Sequence, residues 1–101
     1  MRLYSVFDKM RNEYNLPFGA LNDDIASRDF GFACLKNPFY SDLELYYVGD
    51  FNVETGFLTC PLKSSGEFKK VQSAQFICNG ASAVAFFKQN YFDFSEVDKN
   101  V

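Results

Sequence analysis

A chain of 101 residues with a net charge of −3 and no histidine has the length of one domain with a small core, and it lacks the commonest general base and the commonest neutral metal ligand. Triads of the Ser-His or Cys-His kind are therefore excluded, and the acidic balance disfavours nonspecific adhesion to phosphate backbones. Hydrophobic residues make up 48% and aromatic residues 19%, drawn from 13 Phe and 6 Tyr without a Trp, which is enough apolar material to fold.

The opening stretch, Arg2 to Phe7, is rich in β-formers and apolar on both alternating faces, with Leu3 and Phe7 on one and Tyr4 and Val6 on the other. That pattern predicts an inner strand. The charged run from Asp8 to Pro17 reads as a loop with an extended edge. A helix follows over about residues 23–36. Asn22 is a good N-cap, Asp23 and Asp24 lie where the helix dipole favours acids, and Ala26, Phe30, Ala33 and Cys34 form an apolar stripe. Asp24 and Arg28 are spaced for an ion pair on the helix surface, and Asn37 with Pro38 ends the helix.

Residues 42–60 carry the best hairpin in the chain. Leu43, Leu45 and Tyr47 alternate with Glu44, Tyr46 and Val48, and Gly56 supplies the left-handed residue of the turn. Residues 61–70 read as a loop, with Pro61, Ser64, Ser65 and Gly66. The last third is ambiguous, because Asn79-Gly80 serves equally as a hairpin turn or as the punctuation between helices. Phe76 to Cys78 and Val84 to Phe87 tilt the reading toward strands, while Ala81, Ala83 and Ala85 favour helix.

The expected architecture is a single α+β domain over residues 1–101, with a small, mainly antiparallel sheet and one principal helix. A five-stranded oligonucleotide-binding barrel is the alternative if the last third is a hairpin. Residues 91–101 hold three acids and one lysine and are expected to be a solvated acidic tail.

Few residues suggest chemistry. Cys34, Cys60 and Cys78 are widely spaced without a CxxC pairing, as suits reduced thiols used as small hydrophobes and not a disulfide framework or a zinc site. The carboxylate pairs Asp23-Asp24 and Asp42 with Glu44 are accounted for by helix capping and by the solvent face of a strand. No glycine-rich phosphate loop is present. The expectation is therefore no catalytic residues, no metal and no cofactor. No apolar run approaches the ~20 residues of a membrane span, and Asp8 interrupts what would be the apolar centre of a signal peptide, so a cytosolic protein is expected. The aromatic surplus is more informative, since bases of single-stranded nucleic acid stack on exposed rings. Tyr4 and Tyr46 are expected to share a sheet face beside Arg2, with Lys63, Lys69 and Lys70 as the local basic cluster.

The order "LYSVFD", Pro17-Phe18, "NDDIASRDF" and "LELYYVGDFNVETG" over residues 3–57 resembles the small nonstructural protein of gokushoviruses, single-stranded DNA phages of the microvirus family. Pro17, Phe18, Asn22, Asp23, Ala26, Arg28, Phe30, Gly49, Phe51, Thr55 and Gly56 fall on that family's pattern, with Asn52 where aspartate is usual. The resemblance implies a non-enzymatic phage factor in the cytoplasm of a bacterial host. It would act in DNA replication or packaging and bind single-stranded DNA or phage and host replication proteins. The resemblance also adds Arg28 to Arg2, Tyr4, Tyr46, Lys63, Lys69 and Lys70 as candidate DNA contacts. Separately from the resemblance, a homo-oligomer is expected. The rival reading is a homo-oligomeric or host-factor interaction module that uses the same rings as an interface.

Overall fold

The computed structural model describes residues 1–67 and 69–91. In chain order the elements are β1 (Arg2–Asp8), β2 (Glu13–Tyr14), β3 (Phe18–Ala20), α1 (Asp23–Leu35), a 3-10 turn (Tyr40–Asp42), β4 (Leu43–Phe51), β5 (Leu58–Thr59), β6 (Leu62–Ser64), β7 (Lys70–Gln72), β8 (Gln75–Asn79) and α2 (Gly80–Tyr91).

β1 is an inner strand, as its two-sided apolar pattern requires. It pairs antiparallel with β2 and β3 on one side and with β4 on the other. The far side of β4 is shared end to end by β5, against Asp50 and Phe51, and β8, against Glu44 to Tyr47. The chain between those two partners forms its own ribbon of β6 and β7. The fold is thus α+β, with a mainly antiparallel sheet of six strands and no closed barrel among the described residues.

α1 starts where its cap predicts. The Asn22 side chain accepts from the Ile25 N–H at 2.8 Å, satisfying one of the donors that a helix start leaves open. Its buried stripe is Ala26, Phe30, Gly31 and Cys34. Ala33 is exposed and does not join it; Gly31 does, facing Ala83 and Phe87 of α2 where a side chain would clash. Arg28 pairs with its neighbour Asp29 at 3.0 Å instead of Asp24.

The hairpin of β4 and β5 also forms as expected. The Asn52 side chain accepts from the N–H groups of Glu54 and Thr55, and Gly56 closes the turn at φ +78°, a conformation that costs glycine little.

Two expectations are overturned. Residues 61–73 are not a plain loop but a ribbon, closed at its base by Ser73 N–H to Pro61 O at 2.9 Å and at its tip by Ser65 N–H to Lys69 O at 3.0 Å. The last third is not a hairpin on Asn79-Gly80, since β8 ends there and a second helix begins. The Asn79 side chain accepts from Ser82 N–H at 2.8 Å, as an N-cap does. The strand reading therefore holds before Gly80 and the helix reading after it. The acidic tail expected at residues 91–101 lies outside the described residues beyond Tyr91.

Both helices pack on one face of the sheet, where Tyr4, Leu45 and Tyr47 meet Ala26, Phe30, Cys34, Ala83 and Val84. All three cysteines are free. Cys34 is buried and Cys78 half-buried, as small hydrophobes, whereas Cys60 is exposed. Burial pushes the Cys34 thiol up to about 11.

Candidate nucleic-acid interface

The antiparallel register decides which aromatic residues share a face. Tyr4 lies opposite Tyr47, and Ser5 opposite Tyr46, so Tyr4 and Tyr46 point to opposite sides of the sheet. Their expected common platform does not exist.

Tyr4 is fully buried on the helix side, where its ring has no surface to offer a base. Its hydroxyl donates to Asp23 Oδ1 at 2.5 Å. Arg2 completes this cluster, with Nε donating to the Tyr4 hydroxyl and Nη2 to Asp23 Oδ1, both at 2.8 Å. Its guanidinium carbon lies 3.9 Å from the Tyr47 ring centroid, within cation–π range. The bond from Tyr4, aided by Arg2, holds the Asp23 carboxyl below its ordinary range. Burial, reinforced by a hydrogen bond to Asp50, raises Tyr47 to about 12. This network ties β1 and β4 to the start of α1. Arg2 is engaged in it, and Arg28 with Asp29.

The opposite face is different. No described helix covers it, and four rings pave it in a row across the strands. Phe7 and Tyr14 have centroids 4.7 Å apart, Tyr14 and Tyr46 are 5.5 Å apart, and Tyr46 and Phe76 are 5.7 Å apart. Tyr14 is 50% and Phe76 53% exposed, whereas Tyr46 and Phe7 are half-buried. Edge-to-face contacts fix these rings in place while leaving part of the row open. Burial, followed by the hydrogen bond to Glu44 at 3.1 Å, raises the Tyr46 phenol, which stays neutral at physiological pH.

Sequence reasoning found Tyr46 but not Phe7, Tyr14 or Phe76. Alternation along β1 already set Phe7 apart from Tyr4 and alternation along β4 set Tyr46 apart from Tyr47. Only the pairing of Phe7 with Tyr14, of β1 with β4 and of Tyr46 with Phe76 brings the four together.

The ribbon carries the cations. Lys63, Lys69 and Lys70 against Glu67 give residues 61–73 a charge of +2, leaving −5 on the rest of the chain. Every described residue from 62 to 72 is exposed, and none of the three lysines enters an ion pair among the described residues. Ser64 lies opposite Lys70 and Lys63 opposite Val71, so Lys63 and Lys70 sit on opposite faces of the ribbon. Ser73, at its base, is three residues from Phe76, so the ribbon is rooted within about 10 Å of the aromatic row.

No group of three or more Cys, Asp or Glu side chains is gathered as a metal site among the described residues, and no helix among them is long and apolar enough to cross a membrane. No curated protein and no solved structure matches the chain. Residues 1–63, which span β1 to the start of the ribbon, match the family model described as phage ORF5 protein, and the chain belongs to that bacteriophage family.

Proposed function

We propose that this phage protein is a non-enzymatic accessory factor of the gokushovirus type that binds single-stranded DNA during genome replication or packaging, in the cytoplasm of the bacterial host. The observation that carries the reading is the open row of Phe7, Tyr14, Tyr46 and Phe76. Every base has a π-face, so such a row binds single strands without reading sequence, at about 1–3 kcal/mol per stacked base. Lys63, Lys69 and Lys70, on the ribbon that leaves the sheet just before β8, supply phosphate contacts. The net charge is no obstacle when positive charge is segregated onto a ribbon and the remaining acids lie elsewhere. Glu44, on the aromatic face, fits an arrangement in which bases cross the rings and phosphates follow the ribbon. Arg2, Tyr4 and Arg28 contribute to the fold in this reading, not to contact.

Fluorescence anisotropy of a labelled single-stranded oligonucleotide tests it. Three phosphate contacts predict a salt slope of about −2, or roughly fifteenfold weaker binding between about 50 and 200 mM salt. Replacing the three lysines by Gln should flatten that slope. Tyr14→Ala, at an exposed position, should weaken binding about 5- to 150-fold at constant salt. Absence of saturable binding at low salt, or binding indifferent to both changes, refutes the reading.

A further inference from the structure

We propose that two copies of the chain pair through the outer edge of β8, antiparallel about Phe76, to form a homodimer with one continuous sheet. Among the described residues β8 pairs only with β4, and no backbone hydrogen bond among those residues reaches its other edge. Such an edge is a template for another strand, which proteins usually guard with charge or proline. Here the strand Gln75–Asn79 carries neither. It does carry an irregularity, since the register with β4 shifts between Leu45 and Tyr46 and leaves Ile77 without a partner. Ile77 and Cys78 both pack toward the core, so the side-chain phase is regular only from Gln75 to Ile77.

That irregularity selects the register. A two-fold axis through Phe76 sets Gln75 opposite the second copy's Ile77 with faces matched, and Phe76 opposite Phe76. The two aromatic rows then join across the axis into a single row of eight rings.

Charge argues for a second copy as the occupant. Continuing the same register, Ser73 at the base of one ribbon falls beside Asn79 of the other copy, whose β4 neighbour is Glu44. Two strand spacings, about 10 Å, separate the Ser73 base of that ribbon from Glu44 of the other copy, with Asp42 two residues away from Glu44 and Lys70 the ribbon cation nearest Ser73 along the chain. Neither acid enters an ion pair among the described residues, and neither do the ribbon lysines. A ribbon of charge +2 is thereby laid against the acidic end of the other copy. One face of the ribbon meets those acids while the other stays open.

Sedimentation velocity of the full chain without nucleic acid tests the pairing separately from the DNA reading. Between about 1 and 200 μM, the range that reports micromolar affinity, the 11.6 kDa chain should convert to a species of twice its mass. Gln75→Lys places like charges at the exposed edge on the helix side, away from the rings. It should raise the dimer dissociation constant at least about tenfold with the thermal unfolding midpoint unchanged at low protein concentration. Lys70→Glu should also weaken the dimer, and Glu44→Lys added to it should restore it. A monomer throughout the range, a dimer that survives Gln75→Lys, or a charge reversal without rescue overturns the proposal.

Discussion

Replacing Gly80 by Ala tests whether the second helix is seated as described. A Cβ built on Gly80 falls 1.9 Å from the Tyr40 carbonyl oxygen, 2.9 Å from its carbon and 3.3 Å from the Leu43 carbonyl oxygen. All three obstacles are main chain, held by the 3-10 turn and the start of β4, so no side chain can swing aside. The backbone must retreat by roughly 1 Å in an interior packed like a crystal, and overpacking of that kind costs about 1–3 kcal/mol or more. The gain in helix propensity, at most about 1 kcal/mol, opposes it and is smaller at the first helical position. With the cost at the top of that range a net loss of about 2 kcal/mol follows, lowering the unfolding midpoint by roughly 8–16 °C in a domain of this size. Urea and thermal unfolding followed by circular dichroism measure it. Ala81→Gly, at the exposed next position, is the control and should cost no more than about 1 kcal/mol. If Gly80→Ala proves as stable as the parent, the close approach of α2 to the 3-10 turn is wrong.

Leu45 is fully buried at the centre of β4, and Leu45→Ala should destabilise the fold by about 3 kcal/mol, within the usual ~2–5 for such truncations; a loss under 1 kcal/mol in urea would contradict its place in the core. Tyr47, raised to about 12 from about 10 in the unfolded chain, keeps its proton longer when folded. Stability is therefore unaffected below about pH 10 and falls as pH climbs from about 10 to 12. Tyr47→Phe should make the alkaline limb of the stability curve shallower, and an unchanged limb would refute the assignment.

Local signals were legible wherever the sequence settles a conformation on its own. Asn22 with two following acids starts a helix in any surroundings, the β4–β5 turn follows from Asn52 and Gly56, and alternation along residues 43–48 predicts which side chains are buried. The aromatic surplus and the ribbon lysines were likewise visible as composition.

What a residue faces could not be read from its own neighbours in sequence. Gly80 looks like a turn glycine because Asn-Gly is a turn signal, yet its role is to admit the backbone at Tyr40. Arg2 looks like a free cation, and Asp23 and Tyr4 engage it from 21 and 2 residues away. Tyr4 and Tyr46 look equivalent as candidate platforms until the pairing of β1 with β4 sends one into the core and the other to the open face. The sequence by itself determined the start of α1, the central hairpin and the phase of β1 and β4, because those depend on interactions a few residues long. Tertiary structure alone decided which phases coincide, and hence that Phe7, Tyr14, Tyr46 and Phe76 stand in one row, because register is set by contacts between segments far apart in the chain.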